Sequence, residues 1–164
     1  MIRRAETKDI PVLMEIYNEA ILNTTATFDT ERKDEKDRTV WFLEHTGRYV
    51  IFVYEEAGAV MGYASLSRYR DRKAFDPAAE ISVYIHEKYR GRGIGGKLME
   101  ETLRFAEGCK EIGTVISLIT SDNEVSIHLH EKFGFSYCGQ IKNAGTKFGK
   151  TLSLNAYQII YDRE

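Results

Sequence analysis

The run Glu80-Ile81-Ser82-Val83-Tyr84-Ile85 alternates polar and apolar side chains, the period of a strand with two unlike faces, and Arg90-Gly91-Arg92-Gly93-Ile94-Gly95-Gly96 follows it after four residues. A helical pattern then runs from about Ile94 to Cys109, with Leu98, Leu103 and Ala106 among its apolar positions. Thr114 to Thr120 is apolar enough for a central strand, which completes a β-loop-α-β unit. Glycines let a backbone approach a ligand closely and take positive φ. The helix that follows aims unpaired N–H groups and its positive dipole end at the same spot, and Arg90 and Arg92 add charge. The loop reads as a cradle for a polyanion, phosphate above all.

Upstream, Ile2 to Ala5 suits a short strand, Thr7 a helix N-cap and Pro11 the first helical turn. Ile10, Leu13, Ile16, Tyr17, Ala20 and Ile21 then recur at helical spacing to about Leu22. Asn23 to Asp29 is a polar loop containing Phe28, either a surface connection or a substrate loop. A second helix is expected from Asp34 to His45, anchored by Val40, Trp41 and Leu43 and stopped near Gly47. Tyr49–Glu55 and Val60–Arg70 flank the turn Glu56-Ala57-Gly58-Ala59 as an antiparallel hairpin. Downstream, Glu124 to Lys132 reads as a helix ended by Gly134, with strands over Phe135–Ile141 and Leu152–Tyr161. No repeat or linker interrupts the 164 residues, so one domain over 1–164 is expected.

Three motifs overlap on the glycine loop. Gly91-x-Gly93-x-x-Gly96 satisfies the dinucleotide fingerprint, but the loop does not leave its strand directly and an antiparallel hairpin precedes it, which a doubly wound fold would not have. Gly91-x-x-x-x-Gly96-Lys97 approaches the NTPase P-loop, yet Leu98 stands where a hydroxyl must hold Mg²⁺. The third reading is Arg90-x-x-Gly93-x-Gly95, and it brings in the rest of the chain.

Composition narrows the chemistry. The net charge of -2 gives no basic field for nucleic acid. Cys109 and Cys138 lack metal or redox spacing, and His45, His86, His128 and His130 arrive without ligand partners, which disfavours a metal. With no signal-type leader and no apolar run of membrane-spanning length, a cytoplasmic protein off the membrane is expected.

Arg90-x-x-Gly93-x-Gly95, the strand before it and Asn123-Glu124-Val125-Ser126-Ile127-His128-Leu129-His130-Glu131-Lys132-Phe133-Gly134-Phe135 together resemble the GCN5-related N-acetyltransferase (GNAT) superfamily over nearly the whole chain. Tyr17-Asn18-Glu19-Ala20, Asn23-Thr24-Thr25-Ala26-Thr27-Phe28, Glu80 to Ile85 and Gly145-Thr146-Lys147-Phe148-Gly149-Lys150 resemble its phosphinothricin and methionine sulfoximine N-acetyltransferase branch, which includes arsinothricin-resistance enzymes. The resemblance implies an α/β fold: a mixed, mostly antiparallel sheet of about seven strands with flanking helices and a splay between the fourth and fifth strands for acetyl-CoA. It implies direct acetyl transfer to the α-amino group of a small glutamate- or methionine-like amino acid, and a homodimer.

Acetyl transfer needs a neutral amine, a stabilised oxyanion and a proton for the leaving thiolate. Glu80 resembles the branch's general base, against the competing reading of a strand-end surface residue. His130, seven residues after Asn123 where many members carry Tyr, is the candidate second base or acid, against that of a satisfied core or surface histidine. Gly91, Arg92, Gly93, Ile94, Gly95 and Gly96 would hold the pyrophosphate. Val83, Tyr84 and Ile85 would pair with pantetheine as if it were an added strand, and Asn123 would bond the arm or cap the next helix. For the acceptor, Arg70 and Arg72 would grip an anionic group beside Asp71, Ile81 and Ser82, walled by Phe28 and Phe75 and closed by Lys147 and Phe148. The arginines disfavour a polyamine, and a protein N-terminus or a non-catalytic acyl-CoA sensor remain the alternative readings.

Overall fold

A strand that is apolar on both faces must be covered on both, and the middle of this chain supplies such strands with helices before and after them. The computed structural model describes residues 1–163. Among these, β1 (Ile2–Arg4), β2 (Val50–Glu56), β3 (Ala59–Arg68), β4 (Ala78–Ile85), β5 (Thr114–Thr120), β6 (Ser136–Lys147) and β7 (Lys150–Ile160) form one sheet in the order β1-β2-β3-β4-β5-β7-β6. Every neighbouring pair is antiparallel except β4 and β5. The four α-helices are α1 (Ile10–Asn23), α2 (Glu35–Leu43), α3 (Ile94–Gly108) and α4 (Glu124–Lys132).

One face of the sheet is covered by α1 and α2, where Leu13 and Ile16 pack on Ile51, Val53 and Tyr63, with Trp41 and Phe42 at the margin. The other face carries α3, whose Ile94, Leu98, Met99 and Ala106 meet Ala79, Ile81, Val115 and Ile119, with Ile127 and Leu129 of α4 alongside. Strand register assigns β4's side chains to these faces. Glu80, Ser82 and Tyr84 lie opposite Ser67, Ser65 and Tyr63 on the α1–α2 side, while Ala79 and Ile81 point to α3.

Several expected boundaries are corrected. Thr7 does not cap α1. A 3-10 turn spans Thr7–Asp9, and the buried Asp9 carboxylate accepts from the Glu6 N–H at 2.7 Å and pairs with Arg3. Asp34 does cap α2, accepting from the Asp37 N–H at 2.8 Å, but the helix stops at Leu43. Val40 and Leu43 are exposed; the buried residue of α2 is Arg38, whose guanidinium lies over the rings of Tyr17 (4.6 Å) and Trp41 (4.7 Å). The final hairpin is longer than expected, because β6 absorbs register shifts between Tyr137 and Gly139 and between Ile141 and Gly145 and continues to a tight turn at Phe148-Gly149. Phe148 holds φ +52° there, a left-handed conformation costly for a bulky residue, and its side chain is exposed.

Candidate active site

The two parallel strands pair at only three positions, Ala78, Ala79 and Glu80 with Thr114, Val115 and Ile116, and then part. Beyond Glu80, β4 keeps β3 on one side and has no strand partner on the other, so its main chain offers N–H and C=O groups to an extended ligand. The opening widens into a cleft of about 800 Å³ with mainly apolar walls. Val83, Tyr84 and Ile85 line it, as do Arg90, Gly91, Gly93, Ile94, Gly95 and Gly96, and Asn123.

The loop's local conformation explains its glycines at two points. Gly91 has φ +76° and Gly93, the residue before α3, has φ +73°, and a Cβ at either would meet nothing within 4 Å. The requirement is conformational, not steric. Gly93→Ala therefore distorts the cradle by placing Cβ in the left-handed region, at about 1–2 kcal/mol. Because the folded chain carries that strain next to the buried Ile94, thermal melts should show Tm lower by about 2–8 °C, and calorimetry should show the acetyl-CoA expected from the sequence bound more weakly than by the parent.

The cationic part differs from expectation. Arg90 lines the cleft, but its guanidinium is paired with Glu19 of α1 and its Nε donates to the Ile85 carbonyl oxygen at 3.3 Å. Arg92 lies over the Tyr89 ring at 5.3 Å and is not among the cleft-lining residues. Two basic residues that the motif did not point to, His128 and Lys132, stand one turn apart on α4 and do line the cleft, with Thr25, Ala26 and Ser126. Their i, i+4 spacing was the available signal. Asn123 combines two tasks: Oδ1 accepts from the Ser126 N–H at 3.2 Å as the cap of α4, and the residue borders the cleft.

Glu80 occupies the last paired rung before the strands part. It is half-buried, makes no side-chain hydrogen bond or ion pair among the described residues, and burial pushes its carboxyl upward while the Arg70 charge pulls it down by a smaller amount. On the same face, a hollow of about 760 Å³ is lined by Ser67, the register partner of Glu80, and by Asp71, Trp41 and Arg68. Arg70 stacks on Tyr69 at 4.5 Å, and Tyr69 meets the edge of Phe75 at 5.8 Å. Arg68 is tied to Asp76 at 3.4 Å, whereas Arg70 and Arg72 have no acidic partner among the described residues. Glu80, Ser82, Arg70 and Asp71 are therefore brought to one side of the sheet.

Three candidates are placed otherwise. Ile81 is only 2% exposed and packs toward α3, so strand alternation removes its side chain from the face that carries Glu80. Lys147 is 3% exposed, and its ammonium donates to the Thr27 carbonyl oxygen at 2.8 Å; it holds the loop after α1 and does not reach into open space. His130 is buried on the α3–α4 side. Nδ1 lies 2.6 Å from the Ser126 carbonyl oxygen, which fixes the proton on Nδ1, so Nε2 accepts from the Ser117 hydroxyl at 2.8 Å. Burial holds its pKa below the ordinary histidine value, and it is not among the cleft-lining residues. Glu80 and His130 thus sit on opposite faces of the sheet, and the satisfied core histidine describes the latter.

Tyr17, Thr27 and Asp29 lie in stretches singled out in the sequence, where none of them has a role of its own; in the structure they form a cluster. The Tyr17 hydroxyl donates to the Asp29 carboxylate and lies 3.1 Å from Thr27 Oγ1, at the edge of the loop containing Phe28. Tyr17 also packs edge-on against Tyr84 at 5.4 Å, and Tyr84 lies four residues from Glu80 on the same face of β4. Burial and the nearby Asp29 push the Tyr17 phenol up to about 12, so it stays protonated as the donor.

Comparison with known proteins agrees with this architecture. The chain is 37% identical over 162 residues to the L-amino acid N-acyltransferase MnaT of Escherichia coli (strain K12), covering 98% of this chain and 94% of that one. It is 35% identical over 162 residues, with the same coverage, to the L-methionine sulfoximine/L-methionine sulfone acetyltransferase of Salmonella typhimurium. The solved phosphinothricin acetyltransferase (Pat) of Sinorhizobium meliloti, in complex with acetyl-CoA, superposes with a TM-score of 0.90 at 33% identity, over 98% of this chain and 88% of that one. With the Acetyltransferase (GNAT) family model matching residues 13–135, a splayed β4–β5 pair and a glycine cradle at the head of α3, the chain belongs to the GNAT family of acetyltransferases.

Proposed function

We propose that this protein transfers the acetyl group of acetyl-CoA to the α-amino group of a small glutamate- or methionine-like amino acid. The supporting observation is Glu80: a half-buried carboxylate without a hydrogen-bond partner, placed where β4 and β5 part and sharing a face with Arg70. Acetyl-CoA supplies the thioester when bound. Gly91, Gly93 and the first N–H groups of α3 would receive its pyrophosphate, and the unpartnered edge of β4 at Val83, Tyr84 and Ile85 its pantetheine arm.

In this reading Glu80 takes a proton from the acceptor's ammonium and frees the nitrogen lone pair, directly or through a water. A main-chain N–H of the β4 edge donates to the carbonyl oxygen on which charge develops. Arg70 and Arg72 bind the acceptor's anionic end, a carboxylate, phosphinate or arsinate, and Phe28, Phe75 and Phe148 bound the site. His130 is a positioning residue that fixes α4, and with it Asn123 and Ser126, against β5.

One domain spanning 1–164 acts in the cytoplasm as a homodimer. The long, mostly exposed edge strand β6, with Tyr137 and Ile141, gives a second copy a strand edge to cover. No helix among the described residues is long and apolar enough to cross a membrane.

The test is release of free CoA from acetyl-CoA in the presence of methionine sulfoximine, methionine sulfone, phosphinothricin or arsinothricin, read with a thiol reagent. CoA release with at least one of them is expected. Binding of acetyl-CoA without release across the panel would replace this reading with that of an acyl-CoA sensor, and release only with a peptide would point to a protein N-terminus.

A further inference from the structure

The segment between α1 and α2 has no regular structure, yet it is fastened along its length. Thr120 Oγ1 donates to the Thr25 carbonyl oxygen at 2.9 Å, and Thr25 Oγ1 donates to Asp122 at 2.9 Å. Lys147 Nζ donates to the Thr27 carbonyl oxygen, the Tyr17 hydroxyl donates to Asp29, and the Asn18 amide both accepts from the Lys33 N–H at 2.8 Å and donates to the Lys33 carbonyl oxygen at 2.9 Å. A swinging lid would have to break these bonds together. The segment is a fixed wall.

Phe28 projects from that wall onto β6. A Cβ built on Gly145 would lie 2.7 Å from Phe28 Cε1, 2.9 Å from Cδ1 and 3.3 Å from Cζ. The first two are shorter than Cβ contacts in proteins, so something must shift, and an aromatic ring does not yield as a flexible chain end would. Gly145 does not have a positive φ, so turn geometry is not the reason for a glycine there. Its lack of a side chain makes room for Phe28. Two residues on, Lys147 holds the neighbouring Thr27 from the same strand.

We propose that Gly145 and Lys147 are specificity-determining positioning residues: through Phe28 and Thr27 they set the wall against which the acceptor lies, without touching the acceptor themselves. This rests on the reading above that Phe28 faces the acceptor. The end of the final hairpin therefore selects the substrate by shaping a loop more than a hundred residues earlier in the chain.

The test compares Gly145→Ala, Phe28→Leu, Lys147→Met, Lys147→Arg and the double variant Gly145→Ala/Phe28→Leu, reading acceptor KM, kcat, acetyl-CoA Kd and Tm for each. A displaced wall misplaces the acceptor by a fraction of an ångström to an ångström, so Gly145→Ala should raise acceptor KM about tenfold or more while acetyl-CoA Kd stays within about twofold. In the double variant Phe28→Leu should recover most of any fall in Tm, and acceptor KM should match that of Phe28→Leu alone, because the two positions act through one contact. Lys147→Met, which keeps the stem and removes the donor, should shift acceptor KM in the same direction, and Lys147→Arg should shift it less. If the effects of Gly145→Ala and Phe28→Leu simply add in KM and in Tm, or if acetyl-CoA Kd moves as much as acceptor KM, the proposal fails. Coupling of the two residues in Tm in a protein that acetylates no acceptor would leave the contact standing and overturn the functional reading instead.

Discussion

Glu80→Gln is expected to lower kcat about a hundredfold to ten-thousandfold, the range over which a positioned general base accelerates a reaction, with acetyl-CoA affinity unchanged. The amide keeps the shape of the carboxyl and cannot accept the amine's proton. Burial raises the Glu80 pKa, so in the parent protein kcat should rise with pH through that raised value and then level, and the limb should vanish in the variant. The sign for stability runs the other way. A carboxyl whose folded pKa lies above its unfolded value ionises first in the unfolded chain, so stability falls as pH rises through the interval between the two. At neutral pH the folded protein carries that cost and the glutamine variant does not. A Tm equal to or above that of the parent therefore accompanies the lost turnover and separates it from unfolding. Turnover within about threefold of the parent would remove Glu80 from the proton transfer.

The parts of this architecture that could be read from the chain are those whose signal is local. Alternation in Glu80–Ile85, the glycines at 91 and 93 and the apolar spacing of α3 each report conformation within a few residues, and the structure has them as read. The same alternation also held information that a list of neighbours missed: with Glu80 and Ser82 on one face, Ile81 must take the other. The extent of β6 and β7 was hidden because two register shifts break the period, leaving exposed residues where a strand would normally alternate. Lys147, Arg90 and His130 show a different limit. A lysine near a turn, the first arginine of a motif and a histidine on an amphipathic helix each look free in sequence. Their partners, the Thr27 carbonyl, Glu19 and Ser117, lie far along the chain or on another element. Long-range partners decide whether a polar side chain serves the ligand or the fold.

His130 offers the sharpest test of that distinction. His130→Ala removes two interior hydrogen bonds, leaves the Ser117 hydroxyl without its acceptor and opens a void against the Phe135 ring, whose centroid lies 4.8 Å away. Such changes cost about 2–4 kcal/mol, which in a chain of this size lowers Tm by about 5–12 °C. Ser117→Ala should cost less, about 1 kcal/mol, and should add little once His130 is gone, because the two share one bond. The pH dependence follows from the depressed pKa. The unfolded chain binds the proton first as pH falls, so the stability due to neutral His130 is fully present above the ordinary histidine value of about 6.5 and is lost as pH drops below it toward the folded value. His45, likewise depressed by burial, adds to the same slope, so comparing parent and His130→Ala proteins isolates the His130 share. Tm of the parent should therefore fall more steeply than that of the variant as pH drops below about 6.5. If a direct acid or base were at work instead, the substitution would cut kcat by a hundredfold or more while Tm barely moved. A buried imidazole with both nitrogens engaged predicts the reverse: a large loss of stability, with kcat reduced only as far as α4 shifts Asn123 and Ser126 at the cleft.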